Sequence, residues 1–164
     1  MEGSVTRFGN NSGGNMPSFV PVQWTQGHFV MPRKYRFPRQ AYVRVKRAAH
    51  RADVRELCYL LFGKGGTIDR VIQVPNRAVD DVCHHVFGTA DFERVRLKMK
   101  KLGYKHIGYL HTHPVSEPVP GPGDVAGYAK GALVSIYADR TKELRLFRIT
   151  KKGKGYVEKQ LEFG

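Results

Sequence analysis

Ile107-Gly108-Tyr109-Leu110-His111-Thr112-His113-Pro114 joins an apolar stretch of strand length to two histidines two positions apart. Side chains alternate along an extended chain, so His111 and His113 share one face and Thr112 takes the other. Two readings stand at this point: a pair of structural or surface histidines, or two ligands of a metal ion. The segment 114–123 that follows is rich in Pro and Gly and leads to Asp124. Two neutral imidazoles with one carboxylate suit zinc and leave a fourth position for water.

Working outward, Leu57 to Phe62 is an almost continuous apolar run closed by Gly63, as a strand buried on both faces would be. Lys64-Gly65-Gly66 makes a turn and Ile68 to Val74 returns as a second strand. Upstream, Tyr42, Val45, Ala49 and Ala52 step by three and four after Pro38, which predicts an amphipathic helix. The alternation of Ala41, Val43 and Val45 leaves a strand open at its start. Residues 77–90 show no period and read as a loop. Phe92, Val95, Met99 and Leu102 then lay an apolar stripe on a basic helix, with acids at its start, lysines in its last turn and Gly103 to stop it. A short helix is predicted over 124–130 and strands over 133–137, 144–150 and 156–161. Strands interleaved with helices predict a layered α/β domain.

The chain of 164 residues has the length of one domain, and its net charge is +14. Basic residues crowd 33–51, then Arg94 to Lys105, then Lys151, Lys152 and Lys154. This balance has two readings, a solvated basic surface or an acidic partner, protein or nucleic acid. No nucleic-acid-binding motif accompanies it. Residues 1–27, rich in Gly, Asn, Ser and Pro, read as a flexible tail ahead of a single domain over 28–164. No stretch has the apolar length of a membrane span, and Met1 to Arg7 does not read as a secretion signal, so the expected location is cytoplasmic. Cys58 and Cys83 are then expected as reduced thiols. Cys83-His84-His85 is a weaker candidate for metal ligands, since no fourth ligand stands at a recognised spacing.

The histidine segment and its sequel resemble the JAMM (MPN-domain) zinc metalloprotease family, whose pattern is a glutamate, then much later His-x-His-Pro, six residues, Ser, two residues, Asp. Here His111-Thr112-His113-Pro114, Val115 to Pro120, Gly121-Pro122-Gly123 and Asp124 keep that count. The family's upstream segment, Glu-x-Cys-Gly-x-Leu-x-Gly, is matched by Glu56-Leu57-Cys58-Tyr59-Leu60-Leu61-Phe62-Gly63. The resemblance covers roughly residues 38–150. It implies a cytidine-deaminase-like (JAMM/MPN) α/β fold, a mixed β-sheet flanked by helices, of the small stand-alone prokaryotic, particularly archaeal, kind related to the proteasome-lid deubiquitinase. It implies that His111, His113 and Asp124 hold Zn2+ and that Glu56 acts as the catalytic base on its water. The implied activity is hydrolysis of peptide or isopeptide bonds at the C-terminus of a ubiquitin-like modifier, and the basic surface of this chain would suit an acidic modifier.

Glu56 also has a plainer reading as a surface partner of Arg51 or Arg55. Two positions depart from the family. Its serine is Gly121 here, which removes a hydroxyl held to stabilise the tetrahedral intermediate, with Ser116 nearby at the wrong spacing. Its glycine after the cysteine is Tyr59. These departures keep two alternatives open: a catalytically weak modifier-binding module, and a basic nucleic-acid-associated protein.

Overall fold

The computed structural model describes residues 5–6, 32, 34–82, 84–151 and 155–164. Along the chain they form β1 (Val5–Thr6), β2 (Lys34–Phe37), α1 (Arg39–Ala52), β3 (Cys58–Lys64), β4 (Thr67–Val74), β5 (His84–His85), α2 (Thr89–Lys101), β6 (Lys105–His113), α3 (Pro122–Gly127), β7 (Leu133–Ala138), β8 (Glu143–Lys151) and β9 (Gly155–Phe163). Most of the tail read over residues 1–27, together with Cys83, Lys152 and Lys154, lies outside the described residues. The main sheet runs β2-β4-β3-β6-β7-β8-β9 and curls until β2 also lies parallel to β9. It is the mixed α/β sheet flanked by helices that the sequence predicts.

The apolar run at 57–62 is explained by where β3 sits. Its alternate residues Cys58, Leu60 and Phe62 pack with Val95 and Met99 of α2, while Tyr59 and Leu61 pack with Ala41, Val45 and Ala49 of α1. Both faces are buried, so neither can be polar. The spacing by four of those α1 residues settles the start of that segment as helix. Gly63 is required by a close approach: a Cβ there would stand 2.0 Å from the Thr67 carbonyl oxygen. The tight β3–β4 return depends on that missing side chain.

Three elements differ from the sequence expectation. β2 hides in the basic run because Tyr35 and Phe37 face in while Lys34 and Arg36 face out. The loop read over 77–90 contains β5 and two isolated bridges, Arg55 to Val82 and Asn76 to Phe87, and α2 already begins at Thr89. α3 begins at Pro122, ahead of the expected 124, because proline suits the first helical turn. It ends at Gly127, and Tyr128 is extended.

Candidate metal centre

β6 runs to His113 and carries both histidines as strand residues, flanked by β3 on one side and β7 on the other. Cys58 pairs with His111, and Ile136 and Ala138 pair with His111 and His113. Glu56 stands two residues before Cys58, in phase with the β3 side chains that face α2. Asp124 arrives on α3, where the Gly121 N–H donates to its Oδ2 at 2.8 Å. In this way the third residue of the helix reaches back to cap its own N-terminus and fixes its carboxylate. The four side chains are 0–2% exposed.

Glu56 is therefore no surface partner. Arg55 faces Asp81 at 3.8 Å, whereas the Glu56 carboxylate accepts from His85 Nδ1 at 2.7 Å. Asn76 holds that region together with all four of its amide hydrogen bonds. Its Nδ2 donates to the carbonyls of Glu56 and His84, and its Oδ1 accepts from the amides of Ala78 and Val86. Arg77 adds a bidentate pair with Asp91 at 2.7 and 3.0 Å, tying the segment to the start of α2. Sequence reading missed His85 as a member of this cluster. The signal was Cys83-His84-His85, whose value depended on a fold that carries β5 to β6.

The donor geometry tests whether a metal fits. His111 Nε2 and His113 Nε2 are 3.1 Å apart, and the Asp124 oxygens stand 3.5 and 3.6 Å from them. Four donors about 2.0–2.1 Å from a tetrahedral zinc are about 3.3–3.4 Å apart. Proton accounting points the same way. His113 Nδ1 is 2.7 Å from the Glu117 carbonyl, which only accepts, so the Nδ1 proton is there and Nε2 of the neutral ring carries a lone pair. For His111 the chain of contacts starts at Glu56, whose carboxylate takes the proton of His85 Nδ1. His85 Nε2 then accepts from the Tyr128 hydroxyl at 3.2 Å, and His111 Nδ1–H donates to the Tyr128 oxygen at 3.3 Å. Two imidazole lone pairs and a carboxylate thus converge with no proton between them, an arrangement that a cation relieves.

The donor atoms of His85, His111 and Asp124 also lie within 4.8 Å of one another, so two overlapping triads are available. The rings of His85 and His111 stack with centroids 3.8 Å apart and 21° between planes. Both His85 nitrogens already face other partners, Nδ1 toward Glu56 and Nε2 toward Tyr128, so His111, His113 and Asp124 would hold a metal with His85 beside them. His85 is placed to support the centre rather than to ligate it.

Burial pushes His111 down to about 4, with His85 beside it adding to the effect and Asp124 opposing it. Burial likewise takes His85 to about 4. Burial alone would raise Asp124, yet its close contacts with His111 and His113 outweigh it and hold the carboxyl well below the usual range. At neutral pH the site therefore presents neutral His85 and His111 rings and a carboxylate, the state a metal needs. Burial also raises the Cys58 thiol, which suits an inert core cysteine. Tyr59 faces α1 rather than the centre, and Ser116 is exposed on its loop.

Among known proteins, the family model described as prokaryotic homologs of the JAB domain matches residues 38–150. No curated protein matches the sequence. Among solved structures, the chain resembles a protein from Desulfitobacterium hafniense at a TM-score of 0.65 and 20% identity, over 80% of this chain and 92% of that one. A protein from Salinibacter ruber aligns at 0.57 and 16% identity, over 79% and 91%. A JAB1/MPN domain protein from Archaeoglobus fulgidus aligns at 0.51 and 20% identity, over 79% and 98%. At these identities the structures speak for the fold, and the family model spans the segment that carries Glu56, His111, His113 and Asp124: the chain belongs to the prokaryotic branch of the JAB-domain family.

Proposed function

We propose that the protein is a zinc-dependent metalloprotease that hydrolyses peptide or isopeptide bonds at the C-terminus of a ubiquitin-like modifier. The observation that carries the reading is the convergence of His111 Nε2, His113 Nε2 and the Asp124 carboxylate, with Glu56 buried beside them. Zinc, when bound there, lowers the pKa of a coordinated water to about 7 and polarises a carbonyl. Glu56 takes the proton from the attacking water and returns it to the departing amine. His85 holds that carboxylate through Nδ1. An extended Gly-Gly tail suits such a site, since it can lie beside a strand edge with its carbonyl presented. The exposed cations of α1 and α2, among them Arg44, Arg47, Lys98 and Lys101, favour an acidic modifier.

The test is cleavage of a modifier carrying a C-terminal extension by zinc-loaded protein, with Glu56→Gln and chelated protein as controls. Release of the extension, lost in both controls, is the expected result. Gly121 favours a second reading, a module that holds the modifier without cutting it. Tight modifier binding with no release by the unaltered protein would establish that reading in place of the first.

A further inference from the structure

Glu56 and His111 are the two ends of one buried hydrogen-bonded chain, Glu56 Oε2 to His85 Nδ1 at 2.7 Å, His85 Nε2 to Tyr128 at 3.2 Å and Tyr128 to His111 Nδ1 at 3.3 Å. We infer that this chain couples the base to the metal ligand: His85 and Tyr128 are positioning residues through which the Glu56 carboxylate fixes and strengthens His111 as a donor. The inference rests on the metal-hydrolase reading above.

The donor directions leave one arrangement. With Glu56 ionised, as its role as base requires, and His85 neutral, His85 accepts at its other nitrogen, and the one proton of the Tyr128 hydroxyl goes there. The His111 proton is left on Nδ1, which keeps the Nε2 lone pair aimed at His113 and Asp124. Linked hydrogen bonds polarise one another in the same sense, so the carboxylate's pull reaches His111 through two intermediaries. Partners behind a ligating histidine ordinarily act directly, through a carboxylate or carbonyl, and their loss costs about 10–100-fold in metal affinity. Here the partner is a phenol whose own proton is claimed by an imidazole, so its oxygen becomes a stronger acceptor. Glu56, His85, Tyr128 and His111 are each at most 1% exposed, so water cannot replace a missing member.

The experiment uses the full chain and zinc alone, with affinity read by competition against a chromophoric chelator. Tyr128→Phe keeps the ring and removes the link, and zinc binding should weaken about 10–100-fold. Glu56→Gln should weaken zinc in the same direction, and the double variant should be no weaker than Tyr128→Phe, because the chain is already cut. In metal-free protein, ring-nitrogen NMR should show His111 protonated at Nδ1, with the second tautomer emerging in Tyr128→Phe. Should Tyr128→Phe not fold, His85→Gln cuts the chain one bond further on and should weaken zinc in the same way. A Tyr128→Phe affinity within about threefold of wild type, additive losses in the double variant, or a proton on His111 Nε2 in the wild type would each overturn the coupling. Absence of stoichiometric zinc in the unaltered protein would instead overturn the hydrolase reading, and the ring-nitrogen signals would still decide the tautomer.

Discussion

His113→Ala separates the two triads that share His111 and Asp124. A structural zinc site of four ligands contributes about 10–16 kcal/mol, so one ligand carries about 2.5–4 kcal/mol. Removing His113 should therefore weaken zinc about 10²–10³-fold. His85, stacked on His111 with its own nitrogens turned to Glu56 and Tyr128, should cost only about 10–100-fold when replaced by Ala. Stability of the metal-free protein offers an independent check. A buried large-to-small change usually costs about 2–5 kcal/mol, but this one also relieves two lone pairs facing each other at 3.1 Å. The metal-free variant should lose less than that range, whereas the stabilisation by zinc, about 2.7 kcal/mol at a hundredfold excess over Kd, should largely vanish at the same zinc concentration. Chelator competition and urea unfolding with and without zinc measure both. If His113→Ala binds zinc within about threefold of wild type, or is weakened less than His85→Ala, the assignment of His113 over His85 as a ligand is wrong.

At saturating zinc, Glu56→Gln should lower kcat by about 10²–10⁴ with little change in KM, and equal rates would remove Glu56 as the base. Asn76→Ala should destabilise the protein by about 2–4 kcal/mol, since four hydrogen bonds that set Glu56, Ala78, His84 and Val86 are lost; a urea midpoint near wild type would refute this. His106 lies away from the metal residues, and burial lowers it to about 4. The unfolded chain takes up that proton below about pH 6.5 while the folded one does not, so the stability it contributes is full above that pH and falls by up to about 1.4 kcal/mol per unit toward pH 4. His106→Gln should flatten the fall in urea midpoint over that window by one proton's slope.

How much of this was legible in the sequence follows the range over which each signal acts. β3 and β6 were legible because burial on both faces forces continuous apolar composition, and α1 because Tyr42, Val45, Ala49 and Ala52 step by three and four, although the structure buries Ala41 in place of Tyr42 and Ala52. β2 was not, since Tyr35 and Phe37 alternate with cations inside a basic run too short to show a period. The pairing of Glu56 with His85 joins residues 29 positions apart, and nothing in a loop without periodicity says which of two adjacent histidines turns inward. His111 and His113 were legible as a pair because a strand places them on one face, while Asp124 joined them through the family's spacing, and a helix start is what brings it beside them.

That same local geometry gives Gly121 its significance. A serine three residues before Asp124 would complete the reciprocal cap, of which this chain keeps the half donated by the Gly121 N–H to Asp124 Oδ2 at 2.8 Å. Gly121 has φ −76°, open to any residue, so nothing in its backbone demands glycine. Gly121→Ser should therefore fold and gain only a few tenths of a kcal/mol, the usual difference between serine and glycine at this position. If the hydroxyl turns instead toward a developing oxyanion, turnover should rise by up to about 10²–10³. A stability gain without any rise in rate would show that the hydroxyl serves the helix here, and that the missing serine is not what limits catalysis.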